Sequence, residues 1–480
     1  MAELLLRDPR PRPYESGLSA PSQSRIDAAL AAAGQWLMRH QRLILAVQWV
    51  AVAAYAFLVI VPAFLPPPPR AAHIWTNLTL FAQFVFWGIW WPFVLLSMVL
   101  VGRMWCGVLC PEGALTEALS WRGRGRAIPQ WMKWKGWPFI AFACTTAYGQ
   151  FVSVYQYPKP ALLILGGSTL AAVVVGYSFG RGKRVWCRYL CPVNGVFGLL
   201  SKLAPLHFRV DRTAWDEAPK PANAAARLVN CAPLVPIRTM RGAADCHMCG
   251  RCSGFREAVT LARRSPGHEI VHVAGIEAKP WETWLIVFGL MGLAAGAFHW
   301  GSSDWFVTAK EAAAGWLIDR GVMWPLTAHA PWWVLTSYPE QNDVMTPLDG
   351  MLLLAYLLAA TLAIGGVVTV FLAAAARALG GAQWRMRFHH LAQSLIPVAG
   401  CGVFLGLFAL TTTMLHAEGL TLPYLATART LLMAAAALWS AMLAWRICGL
   451  YARSTSARVG ASAFMTAAAL AGFASWAASF

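Results

Sequence analysis

Charged residues are scarce in this chain. Only 12% of its 480 residues are Asp, Glu, Lys or Arg, whereas a typical soluble domain has roughly a quarter. So few charges leave too little polar surface to cover a water-soluble protein of this size, and they exclude that class. The mean hydropathy of +0.51 and the 58% of hydrophobic residues indicate a protein that lies in a lipid bilayer.

Acidic residues are the scarcer charged type, 21 against 39 basic residues, which gives a net charge of +18. In a soluble chain this excess would suggest a nucleic-acid partner. In a membrane protein it is explained by basic residues in cytoplasmic loops, and we expect no nucleic-acid binding. The sequence also lacks a C-x-x-C-H haem attachment motif and a G-x-G-x-x-G nucleotide loop after a strand.

Long apolar runs are abundant, and about 20 such residues cross a bilayer core as a helix. We predict an all-α, polytopic transmembrane bundle of about nine spans, in which Gln150, Gln156 and Tyr157 interrupt the third. The candidate spans are residues 43–65, 78–101, 137–156, 161–179, 281–299, 347–373, 391–415, 428–445 and 459–479.

The distribution of basic residues predicts the orientation. With the N-terminus in the cytoplasm, 34 of the 39 Lys and Arg residues lie in inside segments and four in outside loops, as the positive-inside rule requires. The predicted organisation is a cytoplasmic tail (1–42), a duplicated transmembrane hairpin with a cysteine loop (43–192), a cytoplasmic ferredoxin-like cysteine domain (193–280), and C-terminal helices (281–480) that include an outside loop (300–346).

A cysteine motif occurs twice. Residues 105–111 and 186–192 both read W-C-x-x-L-C-P, and each follows a predicted hairpin on the cytoplasmic side. Cytoplasmic thiols stay reduced, and C-x3-C-P is the last part of the bacterial ferredoxin motif, whose thiolates bind iron–sulfur clusters. Buried free cysteines are the alternative, but the recurrence at matching positions favours ligands.

A third motif, C-x2-C-x2-C, is formed by Cys246, Cys249 and Cys252. It is the core of a [4Fe–4S] loop, but the position expected for the fourth cysteine is Arg256. The nearest replacement is Cys231. The eight candidate ligands are Cys106, Cys110, Cys187, Cys191, Cys231, Cys246, Cys249 and Cys252, which suffice for two [4Fe–4S] clusters. The other three, Cys144, Cys401 and Cys448, are expected to be packing residues.

Two questions stay open at this point. The first four cysteines could share one cluster and the last four the other, or the cysteines before the prolines could serve the opposite cluster, as in two-cluster ferredoxins. Zinc is the rival metal, since sites of four cysteines are common for it. A structural metal would make the protein a transporter or scaffold instead of an electron carrier.

The paired W-C-x-x-L-C-P loops followed by a ferredoxin-like cysteine motif resemble the membrane polyferredoxins of the NapH/NosR/CcoG type. The residues CHMCGRCSGFREAV and the long helical C-terminal half are most similar to the FtrD-type polyferredoxin of bacterial iron-uptake systems. The resemblance implies an inner-membrane electron-transfer component, not a stand-alone enzyme, that acts between a cytoplasmic donor or quinol and a redox partner. It also implies a periplasmic cupredoxin-like protein and an iron permease as partners.

An electron at a cytoplasmic cluster must still cross the bilayer, so a quinone or a haem could be a further cofactor. His299 and His416 end two spans on the outside and, with Met414, could form an outer metal or quinol site. The alternative is that they are ordinary interface residues, because a histidine at a membrane interface costs little free energy. The acids of the outside loop could attract a basic redox partner, or the loop could simply be anchored by its tryptophans.

Overall fold

The computed structural model describes residues 24–69, 71–218, 229–275 and 279–477, and within them the chain is predominantly helical. In chain order the principal helices are α1 (Arg25–Arg39), α2 (Gln41–Phe64), α3 (Leu78–Val101), α4 (Met104–Val108), α5 (Pro111–Ser120), α6 (Trp137–Phe151), α7 (Pro158–Phe179), α8 (Val185–Tyr189), α9 (Asn194–Ser201), α10 (Arg212–Glu217), α11 (Pro280–Ser302), α12 (Asp304–Asp319), α13 (Trp324–Thr327), α14 (Pro347–Ala378), α15 (Trp384–Ala417), α16 (Leu425–Tyr451) and α17 (Thr455–Ala477). Single turns occur at Gln130–Lys133, Ile237–Thr239, Phe255–Glu257, Glu269–Val273 and Pro339–Gln341.

Eight helices in the described part of the chain are long and apolar enough to cross a membrane: α2, α3, α7, α11, α14, α15, α16 and α17. Two of these helices begin with side-chain hydrogen bonds that are typical of helix N-termini. The Asn77 side chain accepts the N–H groups of the first turn of α3, and Thr346 and Asp349 form a capping box at α14. The polytopic helical fold is therefore confirmed, and each of these spans overlaps a predicted one.

The third predicted span, residues 137–156, is a shorter helix. α6 has only 15 residues because the chain leaves the helix at Val152 and reaches Ser153 at a positive φ of 50°. It nevertheless runs beside α11 from one end to the other: Phe139 packs on Trp281 with ring centroids 6.4 Å apart, and Gln150 accepts a 2.9 Å hydrogen bond from Trp300. The structure thus has eight long spans and one short helix that follows the same course.

Two small antiparallel sheets interrupt the helical pattern. β1 (Leu206–Val210) pairs with β2 (Val259–Arg263) beside the cysteine-rich segment, and β3 (Ser337–Tyr338) pairs with β4 (Asp343–Val344) at the other end of the bundle. Helix α1 lies across β2, where Gly34 faces Leu261. Of the predicted N-terminal tail, residues 1–23 lie outside the described residues.

The main core lies between α3, α9, α11 and the C-terminal spans α14 to α17, whose buried side chains form one continuous cluster. Small residues let these spans approach closely. A side chain at Gly292 would collide with the backbone of Thr361, and one at Gly365 would collide with the ring of Phe288. The C-terminal spans therefore form a packed support for the cysteine-bearing half of the molecule.

Candidate functional site

The two W-C-x-x-L-C-P loops have the same backbone conformation. Each starts with a one-turn helix, α4 or α8, that carries the first cysteine. In each, the N–H groups of the leucine and of the second cysteine donate to the tryptophan carbonyl oxygen, at 2.9 Å in the loop of Trp105 and at 2.9 and 3.0 Å in the loop of Trp186. The motif thus specifies one local structure in both copies.

The cysteines of both loops lie together at one end of a buried cavity of about 250 Å³. They are Cys106, Cys110, Cys187 and Cys191. Burial raises the pKa of Cys187 to about 12 against the opposing charge of Arg184. Burial also raises the pKa of Cys110, and the neighbouring Cys187 and Cys106 raise it further. Thiols in such surroundings become thiolates when a metal ion replaces the proton.

The remaining four candidate cysteines form a second group. Burial raises the pKa of Cys252, and the neighbouring Cys246, Cys249 and Cys231 raise it further. The turns between these cysteines need left-handed backbone, with φ of 53° at Met248 and 76° at Gly250. Cys231, 15 positions before Cys246, lies beside the C-x2-C-x2-C segment, and its role as a fourth ligand stays a prediction.

A buried ionic network joins all three cysteine segments. Glu117 accepts a 2.7 Å bond from Arg184, just before the second loop, and a 2.5 Å bond from Arg251, inside the third segment. Arg184 also donates to the carbonyl oxygen of Cys106. Burial by itself would raise the pKa of Glu117, but the two guanidinium groups hold it below its ordinary value. The carboxylate is therefore a fixed connection between the segments.

Helix α2 contributes two further connections through its glutamines. Gln41 donates a 3.0 Å bond to the carbonyl oxygen of Cys249 and accepts a 3.1 Å bond from Arg251. Gln48, which is 2% exposed in the first span, donates a 2.7 Å bond to the carbonyl oxygen of Gly107. The first span thus fixes the first and third segments to each other.

The third segment touches the first loop at Gly107, between its two cysteines. A Cβ atom there would overlap the carbonyl oxygen of His247, so only glycine permits the approach. Arg103 connects the same region to the second loop: it donates at 2.8 Å to the Ala244 carbonyl oxygen and at 2.7 Å to the Asn194 side chain. The two cysteine groups are therefore neighbours in one rigid frame.

The cavity continues from the cysteines into the apolar bundle. Its walls beyond the loops come mainly from α3, α6, α7, α11 and α15. A series of ring contacts follows it from Trp105 through Trp90, Phe86, Trp87 and Tyr155 to Phe298, with centroids 4.7 to 6.0 Å apart. Tyr155 lies next to Gln156, whose carbonyl oxygen contacts Gln83 near the start of α3. The cavity therefore extends toward the end of the bundle opposite the cysteines.

Within the described residues, His247 Nδ1 and Trp91 Nε1 are buried in the cavity wall without a hydrogen-bond partner, and the buried Arg103 guanidinium lies against the Cys106 thiol. A buried polar nitrogen without a partner is costly, so each such atom indicates a hydrogen-bonding group that the polypeptide does not supply. Two of the three residues lie close to the cysteines. Sulfur atoms of an iron–sulfur cluster are acceptors for such groups, so this donor set and the free cysteines fit a cluster.

A zinc site would instead require four sulfur atoms at about 2.3 Å from one ion. Within the described ranges, no group of three or more His, Cys, Asp or Glu side chains is arranged to hold a single metal ion.

The three cysteines outside these groups lie elsewhere: Cys144 is exposed, Cys401 is half-buried in α15, and Cys448 is buried in α16.

The outer histidines have separate surroundings. His299 packs edge-on against Trp476 with ring centroids 5.2 Å apart, whereas His416 is exposed and Met414 half-buried near the end of α15. An outer metal or quinol site at these residues stays a prediction. Both ring nitrogens of His390, in α15, have hydrogen-bond partners: the Tyr451 hydroxyl at 2.7 Å and the Ile270 carbonyl oxygen at 2.8 Å.

The sequence did not single out the polar side chains that organise the site, namely Gln41, Gln48, Arg103, Glu112, Glu117 and Arg251. One signal was available: Gln48 lies in the middle of an apolar span, where a polar residue indicates a specific partner. Glu112, directly after the first C-P pair, lines the cavity and accepts a 3.2 Å bond from Trp186. Burial raises the pKa of Glu112 above its ordinary value.

The family model described as a 4Fe-4S binding domain matches residues 83–129 and 162–211, one match for each cysteine loop. The chain is 22% identical to YccM of Escherichia coli K12, a protein named for electron transport, over 42% of this chain and 61% of YccM. It is 27% identical to the regulatory protein NosR of Pseudomonas aeruginosa, over 34% of this chain and 25% of NosR.

A third relative is the methylamine utilization ferredoxin-type protein MauN of Methylorubrum extorquens, 27% identical over 23% of this chain and 42% of MauN. The chain thus spans less than two thirds of the length of each of these relatives. No solved structure matches the chain. The family model matches the two cysteine loops and the helices next to them.

Proposed function

We propose that this chain, a membrane 4Fe–4S protein of the NapH/NosR type, transfers electrons in the bacterial inner membrane between a cytoplasmic donor or quinol and a redox partner. The observation that carries the proposal is the gathering of eight free cysteines into two neighbouring groups of four. Each group would bind one [4Fe–4S] cluster, which supplies one-electron redox chemistry. The basic segments around the cysteines support a cytoplasmic location for this end.

The mutual neighbours of the thiols support one partition of the ligands. Cys110 is close to Cys106 and Cys187, across the two loops, whereas Cys252 is close to Cys246 and Cys231. We therefore assign the four loop cysteines to one cluster, and Cys231 with the three cysteines of the third segment to the other. The crossed partition would need Cys110 and Cys191 to turn away from the cavity that they line.

Positive side chains beside the cysteines would favour the reduced, more negative state of the clusters. Arg103 and Arg184 are 3% and 2% exposed and lie against the first loop. In such a low-dielectric environment a fixed positive charge acts strongly on a neighbouring negative group. These arginines would thus offset the cost of holding thiolates and an added electron away from water.

The cavity favours a donor or acceptor that dissolves in the membrane. It is lined mainly by aromatic and aliphatic side chains, and its polar groups are few, among them Trp91 Nε1 and the Glu112 carboxyl group. A flat apolar ring with a small number of polar atoms, such as a quinol head group, matches such a lining. Entry of electrons from quinol would then take place beside the loop cysteines.

A redox partner on the outside would meet helix α12 and the β3–β4 hairpin. Asp304, Glu311 and Asp319 recur on the exposed side of α12 at spacings of seven and eight residues, which places them on one face. Lys310 is turned away and binds Asp349 at 2.6 Å. This acidic face would attract a basic periplasmic protein, such as a cupredoxin-like partner that works with an iron permease in iron uptake.

The test is the metal content of protein purified anaerobically in detergent, with the EPR spectrum after dithionite reduction. We expect about eight iron and eight sulfide per chain and a reduced-cluster signal. Cys187→Ala should remove about half of the iron, and Cys401→Ala, outside both groups, should remove none. Zinc without sulfide would refute electron transfer and would make the cysteines structural ligands.

The partition has its own test. Cys106→Ser and Cys110→Ser should weaken the same EPR signal, and Cys246→Ser the other one. If Cys110→Ser instead weakened the signal that Cys246→Ser weakens, the crossed partition would be correct. Reduction of the clusters by a short-chain quinol, added without other donors, would establish electron entry from the membrane; reduction only by a soluble donor would place entry on the cytoplasmic surface.

A further inference from the structure

His247 belongs to one cysteine group by sequence and to the other by position. It stands between Cys246 and Cys249 in the third segment, yet it lines the cavity that the four loop cysteines enclose. Its side chain is 3% exposed, and among the described residues its Nδ1 atom has no hydrogen-bond partner. A buried imidazole nitrogen without a partner indicates a hydrogen-bonding group that is not part of the described chain.

The backbone of His247 is fixed in place, because its carbonyl oxygen lies against Gly107. An imidazole ring with one N–H can donate one hydrogen bond. The ring therefore has a set place and little freedom to find a partner elsewhere.

We propose that His247 donates a hydrogen bond from Nδ1 to a sulfur atom of the cluster held by the loop cysteines, and so sets its reduction potential from within the segment that holds the other cluster. The Arg103 guanidinium, which is also buried and lies against the Cys106 thiol, is in the same cavity wall. Hydrogen bonds to sulfur stabilise the more negative, reduced state and raise the potential. The inference rests on the proposed function, since it requires clusters at both groups.

His247 would thus be a contact between the two electron-transfer centres. Cys246 and Cys249, the neighbours of His247, would hold the cluster of the third segment, while the His247 side chain lines the cavity of the loop cysteines. A change in the third segment that moved this side chain would therefore change the potential of the loop cluster. The polar network of Glu117 holds the segments in place but contributes no donor to the cavity.

The test is a redox titration of both clusters, followed by EPR, in full-length His247→Phe, His247→Asn and wild-type protein. His247→Phe should shift one potential to a more negative value, with about a tenfold change in the reduced-to-oxidised ratio at a fixed poise, or 59 mV for a one-electron couple. His247→Asn keeps an N–H donor and should shift it less. His272→Phe, a histidine of the same region that does not line the cavity, is the matched control.

A second readout is specific to the hydrogen bond. Protein labelled with ¹⁵N-histidine should show a nitrogen coupling to a reduced cluster, and His247→Phe should abolish it. Unchanged potentials and an unchanged coupling in His247→Phe, in protein that retains both clusters, would overturn the inference while leaving electron transfer intact. Wild-type protein without clusters would refute the proposed function itself. If the Phe side chain prevents folding, His247→Leu serves for the same comparison.

Discussion

Replacement of Glu117 by Gln is the sharpest perturbation of the site. The Glu117 carboxylate is 7% exposed and binds Arg184 at 2.7 Å and Arg251 at 2.5 Å. The Gln side chain keeps the shape but loses the charge, so Arg184, itself 2% exposed, remains buried without its counter-ion. Removal of one partner from a buried ion pair costs about 3–5 kcal/mol. We expect a lower unfolding temperature and loss of iron from both cysteine groups, because the carboxylate joins all three segments.

The assay is thermal unfolding in detergent together with iron and sulfide content. The matched control is Asp216→Asn, which removes an ion pair with Arg238 at 3.0 Å on the exposed surface. Such exposed pairs add little to stability, so this variant should behave as wild type. The reasoning would be refuted if Glu117→Gln unfolded at the wild-type temperature and kept its full iron content.

Three further outcomes are expected. Gly107→Ala should lose at least half of the bound iron, because the added methyl group collides with the third cysteine segment, whereas Gly315→Ala, which has open space, should lose none. His207→Gln should reduce the dependence of the free energy of unfolding on pH. Burial lowers the pKa of His207 to about 3. The neutral imidazole therefore contributes to stability above pH 6.5, and this contribution is lost as the pH falls toward 3. Lys202→Met should lower the unfolding temperature, because it leaves Glu282 without its 2.6 Å partner.

The fold was largely predictable, because the bilayer demands long apolar helices and these are visible as runs in the sequence. The exception is α6. Apolar composition predicted a span to residue 156, but the left-handed backbone at Ser153 ends the helix earlier, and the course of α6 follows from its contact with α11. The polar residues Gln150, Gln156 and Tyr157 indicated an interrupted span, but they did not show at which residue the helix ends.

The loops that carry the candidate ligands could be identified for a different reason. Cysteine spacing is local, and the two W-C-x-x-L-C-P loops fold through contacts within seven residues. The network around Glu117 could not be predicted in this way. Arg184 and Arg251 are 67 and 134 positions from Glu117, and nothing in one sequence pairs a given carboxylate with a given guanidinium among so many basic residues.

The contact of Gln41 with Arg251 has a consequence for how the protein is made. These side chains are 210 positions apart, and one belongs to the first span whereas the other lies inside the last cysteine segment. The first span therefore cannot complete its contacts with the cysteine segments until the ribosome has synthesised more than half of the chain. We expect iron to be inserted only after that point, which can be checked by following iron incorporation into stalled nascent chains of increasing length. Until then the membrane-inserted chain would carry free cysteine thiols. Cofactor insertion would therefore be a late step in the assembly of this protein.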